Sequence, residues 1–306
     1  MSAHGGQAQA PSGWLEAREA GSVLGLRILL GIATLLGRAP LRLVLRLVVF
    51  YYALFARRAR QYSQQYYAHL GQDHSFGRFF RHLSHFAQCV VDRIFFIRGQ
   101  YRHFEVRTHG SEHLRQLHQK GRGAILLGAH LGSFEAMHAR GDREGLRINV
   151  VGYFRNAQRI NSLLEKLGPG VHARLIEARP GDIAFALRLR DCIERGEMVA
   201  ILGDRVMEGR SAEVQFLGAP AKLPVGPYAL AATLRCPIYL TFGLYTAPNR
   251  YELYCEPFAS EISLPRKDRD RALADYAQRF ADRLEHYCRL APDNWFNFYD
   301  FWSPGD

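Results

Sequence analysis

Gly121-Arg122-Gly123-Ala124-Ile125-Leu126-Leu127-Gly128-Ala129-His130-Leu131-Gly132-Ser133-Phe134-Glu135 is the stretch on which the reading of this chain turns. Residues 124–127 are a short apolar run after a pair of glycines, the length and composition of a buried strand. The run stops at Gly128, and a helical pattern opens near Ser133 and continues through Arg140. A histidine thus stands where a strand delivers its last residue, and a carboxylate stands in the first turn of the next helix. Five residues at about 100° each turn through about 500°, so within one helix His130 and Glu135 would diverge by roughly 140°. They meet only if His130 lies in the turn and Glu135 in the helix proper. Ser133 suits the N-cap, and the helix dipole favours a first-turn carboxylate as the anion. A histidine with an acidic partner to orient it is able to act as a general base. A loop histidine beside a capping glutamate is the plainer account of the same spacing.

On either side of this stretch, strand and helix patterns alternate. Strands are expected over 104–107, 147–153, 173–177, 198–202, 237–244 and 251–255, and helices over 111–119 (capped by Ser111), 156–167, 182–195, 225–234 and 269–288. Such alternation specifies an α/β fold, a sheet flanked by helices. Sites in these sheets lie beyond the carboxyl ends of the strands, which is where His130 falls. Three later clusters converge on the same level of the fold. Gly152 to Asn156 sets Arg155 past a strand end, and Gly203-Asp204-Arg205 does so after residues 198–202. Residues 216–227, containing Lys222 and Pro224, are a stiff, turn-rich lead into a helix. Each has an ordinary reading as a solvated loop charge or a turn; their recurrence at successive strand ends favours a site.

The first third differs in character. Its twelve Arg and no Lys stand against Glu16, Glu19, Asp73 and Asp92, a balance of +8 within a chain total of +11. A basic face of this kind suits anionic lipid, an acidic protein partner or nucleic acid. Residues 1–12 are a polar, disordered lead-in without a signal-peptide pattern. From Trp14 to Arg60 apolar runs are interrupted by arginine: residues 28–37 and 47–56 are each ten uncharged positions long. A spanning helix needs about 20. Pro40 separates the runs, so two short helices are expected, lying in a membrane interface with arginine stems along the apolar face, or else buried as a hairpin. Residues 57–71 and 76–99 form further helices, the second with an aromatic face directed to the core. The domain plan is therefore 1–12 lead-in, 13–60 interfacial anchoring helices and 61–306 the α/β domain. Five scattered cysteines without CxxC spacing are packing residues of a reduced compartment, and no zinc pattern or HExxH is present.

Four ordered blocks carry a specific resemblance: GAHLGSFE from Gly128, GYFRN from Gly152, LGDR from Leu202 and FLGAPAKLPVGPYALAA from Phe216, followed by NWFNFYDFW from Asn294. Together they resemble the lipid A acyltransferase branch of the lysophospholipid acyltransferase superfamily. That resemblance implies a glycerol-phosphate-acyltransferase-like fold with a mixed, mostly parallel sheet. It also implies transfer of a fatty acyl chain from a thioester, on acyl carrier protein or CoA, to a lipid or glycolipid hydroxyl such as that of a lipid A precursor. His130 would take the acceptor proton while Glu135 holds the imidazole tautomer. No nucleophile elbow follows, so transfer is direct, without an acyl-enzyme. Backbone N–H groups around Gly132 would stabilise the oxyanion. Arg155 in the second block and Asp204 with Arg205 in the third would steady phosphate or phosphopantetheine groups; Asn156 and, in the fourth block, Lys222 and Pro224 complete the substrate-binding residues that the resemblance implies. No cofactor or metal is called for. The Ser133-Phe134 pair and the Gly-Asp-Arg form of the third block resemble relatives from aryl-polyene and pigment-lipid clusters, so the alternative is acylation of a non-lipid-A acceptor in pigment or aryl-polyene lipid synthesis. The expected place is the cytoplasmic face of the inner membrane, peripheral or monotopic. Three other readings stand beside this one: a nucleic-acid binder, a non-catalytic membrane adaptor on the same fold, and a metal hydrolase built on His130 and Glu135.

Overall fold

The computed structural model describes residues 31, 38–152, 175–178, 181–206 and 209–302. The expected helix over 156–167 and most of the apolar run 28–37 lie outside the described residues. Three helices open the described chain: α1 (Arg38–Phe55), α2 (Arg57–His69) and α3 (Phe76–Ile97). Then follow β1 (Glu105–His109), α4 (Ser111–Gln119), β2 (Ala124–Gly128), α5 (Phe134–Arg143), β3 (Ile148–Gly152), β4 (Leu175–Glu177), α6 (Ile183–Glu194) and β5 (Met198–Leu202). A hairpin of β6 (Ser211–Phe216) and β7 (Ala219–Pro224) leads to α7 (Gly226–Leu234), β8 (Ile238–Thr246), β9 (Arg250–Ala259) and α8 (Arg269–Leu290).

Seven strands form one sheet in the order β1-β9-β8-β2-β5-β3-β4. Every neighbouring pair is parallel except β8 with β9, which run antiparallel. The expected α/β class and mostly parallel mixed sheet are thus what the chain adopts. Strand β2 is buried at all five positions, because both faces of the sheet are covered. Ile125 and Leu127 share a core with Leu189 of α6, Tyr228 of α7 and Phe280 of α8, while Ala124 and Leu126 pack with Leu114 and Leu117 of α4. The period of two along one strand therefore serves two different helix layers.

Two local expectations are corrected. The turn-rich segment after Phe216 is half of the β6–β7 hairpin, in register from Ser211↔Pro224 to Phe216↔Ala219; Pro220 and Pro224 are tolerated because this two-stranded ribbon is all edge. At α4 the N-cap is Gly110, not Ser111. Its φ of 76° is left-handed, and a Cβ there would lie 1.9 Å from the Cys255 carbonyl oxygen, so only glycine fits. The Ser111 hydroxyl instead accepts from Arg115 at 2.9 Å.

Pro40 does not separate two helices within the described residues. It sits in the first turn of α1, where the backbone N–H would lack an intrahelical partner anyway. Leu41, Leu45, Val49 and Ala53, one stripe at helical spacing, bury against Phe79, Leu83, Val91, Ile94 and Phe95 of α3. The opposite stripe of α1 stays exposed: Leu43 at 63 %, Leu47 at 67 %, Phe50 at 49 %, Tyr51 at 58 % and Phe55 at 66 %. No helix among the described residues is long and apolar enough to cross a membrane.

A buried ion pair ties α1 to the rest. Arg38 donates from Nε and Nη2 to the two oxygens of Asp92 at 2.8 and 2.7 Å, and Arg38 Nη2 also reaches the Pro248 carbonyl at 3.2 Å. Gln88 and Tyr251 donate to the same carboxylate at 2.7 and 2.9 Å. Asp92 is fully buried, so its charge is tolerated only because four donor atoms surround it. Removing one member of such a pair strands a buried charge. Arg38→Met should therefore lower unfolding stability by about 3 kcal/mol in a denaturant titration, although Asp92 retains Gln88 and Tyr251.

Candidate active site

Strands β2 and β5 run parallel in register from Ala124↔Met198 to Gly128↔Leu202, and the pairing continues past their ends, where the Gly203 N–H donates to the Gly128 carbonyl at 2.9 Å. His130 and Asp204, each two residues beyond its strand, are therefore carried to the same place. The His130 backbone N–H donates to Asp204 Oδ2 at 2.9 Å, and its ring Nδ1 lies 2.8 Å from Asp204 Oδ1. Trp295, after α8, donates its indole N–H to Asp204 Oδ2 at 3.1 Å. Asp204 is buried to 2 %. Burial pushes its carboxyl up, but the neighbouring His130 ring outweighs that, with further help from Arg205 and the His130 backbone N–H, and holds it at about 2. An ionised Asp204 only accepts hydrogen bonds, which places the neutral-imidazole proton of His130 on Nδ1. Nε2 takes no partner among the described residues and keeps a lone pair.

His130 itself titrates below the usual histidine range. Burial is the largest cause and the positive field of Arg205 the second; Asp204 and Glu135 pull the other way without cancelling them. Its side chain keeps 32 % of its surface open, so it is both neutral at physiological pH and reachable.

Glu135 does not hold the ring. It is the second residue of α5, and its Oε1 lies 3.0 Å from Nε of Arg93 on α3. The expected partner of the imidazole is displaced because the sheet register delivers Asp204 to Nδ1 first. Ser133 does cap α5, its hydroxyl accepting from the Ala136 N–H at 3.1 Å. Two of the N–H groups around Gly132 are otherwise engaged. That of Gly132 donates to the Asn294 carbonyl at 2.8 Å and that of Ser133 to the Gly243 carbonyl at 2.7 Å, so neither is open to an oxyanion. Gly132 has φ of 71°, and a Cβ there would lie 1.9 Å from the Gly243 oxygen. Glycine is needed here for close packing of the loop on β8, not for a donor.

Arg205 lies at the site, donating to the Phe296 carbonyl at 3.1 Å and resting over the Tyr299 ring at 5.0 Å. Lys222 is exposed on β7, across from Glu213, and Pro224 ends the same strand opposite Ser211; the described contacts of this hairpin run to α8 and the C-terminal aromatic residues, not to His130. Arg155 and Asn156 lie outside the described residues. Trp295, Asn294 and Arg93 are the site neighbours that the spacing argument missed. The dense aromatic run from Trp295 to Trp302 was the one signal that pointed to the first two.

Behind the site, His82 of α3 is fully buried. Its ring nitrogens lie 3.0 Å from the Ser63 hydroxyl and 2.9 Å from the Trp295 carbonyl. Burial lowers it to about 4, with the Trp295 carbonyl opposing. Both His82 and His130 thus bind protons more weakly in the folded chain than in the unfolded one. The stability this represents is complete above about pH 6.5 and is lost as pH falls from there toward about 4. For His82 alone the loss at pH 5 is roughly 2 kcal/mol. Urea midpoints measured at pH 7.5 and pH 5 should fall accordingly, and His82→Asn should flatten the difference.

The model of the family described as bacterial lipid A biosynthesis acyltransferase matches residues 84–303. That span runs from within α3 to beyond Trp302 and contains His130, Glu135, Asp204 and Trp295. Comparison with curated proteins gives no match. With more than two thirds of its 306 residues inside the family's model, this chain belongs to the bacterial lipid A biosynthesis acyltransferases and is an acyltransferase.

Proposed function

We propose that the chain moves a fatty acyl group from a thioester, carried by acyl carrier protein or CoA, directly to a hydroxyl of a lipid or glycolipid acceptor such as a lipid A precursor. One observation carries the reading: a neutral histidine whose Nδ1–H is fixed on a buried carboxylate and whose Nε2 faces no partner among the described residues. Nε2 takes the acceptor O–H proton as the oxygen attacks the thioester carbonyl carbon. The tetrahedral intermediate collapses with cleavage of the C–S bond, and the imidazolium returns its proton to the leaving thiolate. Asp204 holds the ring tautomer and offsets the imidazolium charge. The field of Arg205, second only to burial in keeping His130 neutral, also favours negative charge on the carbonyl oxygen. Glu135, paired with Arg93, braces α5 against α3. Arg155 belongs to the acceptor or donor phosphate side of this proposal, while Asn156, Lys222 and Pro224 stay in it as substrate-binding residues. The Ser133-Phe134 and Gly-Asp-Arg forms keep open an acceptor from pigment-lipid or aryl-polyene synthesis.

Three substitutions test the assignment. His130→Ala should cost about 10² to 10⁴ in rate. Asp204→Asn should cost a similar factor, because an amide N–H facing Nδ1 selects the wrong tautomer. Glu135→Gln should cost less than about tenfold, since its partner is Arg93 and not the ring. The reverse order for the two carboxylates would return the orienting role to Glu135.

The same proposal places the chain on the cytoplasmic face of the inner membrane, held through the exposed stripe of α1. Between Leu41 and Gln72 the sequence has five Arg and no Asp or Glu, so cations accompany the apolar stripe of α1, Arg38 being already paired with Asp92. Each basic residue near an anionic surface adds about 1 kcal/mol, screened beyond a Debye length of about 8 Å. Leu47→Glu with Phe55→Glu should abolish co-sedimentation with anionic phospholipid vesicles without moving the melting temperature. High salt should extract the unmodified chain only in part, while detergent releases it.

A further inference from the structure

The residues after α8 do more than cover the core. Leu131 and Trp295 form an antiparallel bridge, closed by the Gly132 N–H on the Asn294 carbonyl at 2.8 Å and the Phe296 N–H on the His130 carbonyl at 2.8 Å. The loop that bears His130 is thus stitched on both sides to a segment some 165 residues away. Asn294 is itself fixed to β8 by its side chain, Oδ1 accepting from the Tyr245 N–H at 2.7 Å and Nδ2 donating to the Tyr245 carbonyl at 3.1 Å. The Trp295 carbonyl meets His82 at 2.9 Å. From this fixed frame the Trp295 indole N–H reaches Asp204 Oδ2 at 3.1 Å, and the Trp295 side chain is buried among Tyr66, Phe216 and Phe301.

We propose that Trp295 is a positioning residue for the acyl transfer: its indole N–H fixes the second oxygen of Asp204, so that the first oxygen is left for His130 Nδ1 alone. This rests on the assignment of His130 as base. A carboxylate with one oxygen unclaimed can rotate and offer either oxygen, or a poorer angle, to the imidazole. The His130 backbone N–H and the Trp295 indole together claim Oδ2 and remove that freedom. The indole also draws off part of the negative charge that would otherwise fall on His130. The groups facing this pair are Arg205, Glu135 on α5, Cys288 on α8 and Tyr299. Burial pushes Cys288 and Tyr299 up in pKa, so near neutrality only Asp204, Arg205 and Glu135 act on the ring as charges.

Trp295→Phe keeps an aromatic ring at the site and deletes the donor, with some loss of packing volume. It should lower kcat about tenfold, the worth of one hydrogen bond to a charged group, with KM within about twofold. More charge on Asp204 favours the imidazolium, so the acid limb of kcat/KM should move to higher pH. Lost packing alone would lower kcat at every pH and leave the limb in place; that result, or wild-type kcat with an unmoved limb, overturns the proposal. If His130→Ala retains turnover, it is the base assignment that fails, whatever Trp295→Phe does. Should Trp295→Phe not fold, the wild-type chain supplies the answer by nuclear magnetic resonance. The Trp295 indole N–H signal is assigned by elimination with Trp14→Phe and Trp302→Phe. It should shift as pH crosses the His130 titration and lose that shift in His130→Ala. A pH-independent signal would overturn the proposal.

Discussion

A carboxylate buried to 2 % exposure must be surrounded by donors or abandon its charge, and Asp204 satisfies this with three: the His130 backbone, the His130 ring and the Trp295 indole. Each donor comes with a structural demand. The backbone donor requires the loop after β2 to turn immediately, the ring donor requires β2 and β5 to be neighbours in register, and the indole requires the chain beyond α8 to return across the strand ends. One buried charge thus couples the centre of the sheet, the His130 loop and the last aromatic residues. The charge also explains why the loop is so tightly made. Gly132 and Gly243 approach one another at backbone contact distance, leaving the loop no slack with which to relax away from Asp204.

The helical end of the molecule is organised by a second buried carboxylate on the same logic. Asp92 collects Arg38, Gln88 and Tyr251, which come from α1, α3 and β9. Glu135, between these two centres, makes a third contact across the same boundary by pairing with Arg93. Helices α1 and α3 are therefore mechanically continuous with the helix that begins after the His130 loop. Whatever α1 rests on acts, through α3, on a structure with little give.

Much of this was legible in the linear chain. The strand at 198–202 and the helix starts at 76, 111 and 269 follow from apolar runs and breaks that the fold respects, because both faces of the sheet are covered and short apolar runs have few other fates. The position of His130 beyond a strand end was equally plain. Its partner was not. Residues 125–130 and 199–204 are alike in pattern, Ile-Leu-Leu-Gly-Ala-His beside Val-Ala-Ile-Leu-Gly-Asp, but nothing local says that these two strands lie side by side with β3 and β4 formed between them in the chain. A turn histidine followed by a carboxylate in the first turn of the next helix therefore favoured Glu135, the nearer carboxylate in sequence. The β6–β7 hairpin was hidden for another reason. Its prolines and Gly218 read as turns, although Val214, Phe216, Ala221 and Leu223 alternate inward as in any strand pair.

The antiparallel stitch between the loop at Leu131 and the segment at Trp295 has a consequence during synthesis. At about 5 to 20 residues per second, Trp295 leaves the ribosome roughly 8 to 33 s after His130. Until it arrives, two of the loop's backbone bonds and one of the three donors to Asp204 are missing. The nascent chain can form its first helices, and even pair β2 with β5, while its histidine remains without its final frame. On the proposal that His130 is the base, its frame is therefore completed late, once the aromatic segment closes over the strand ends.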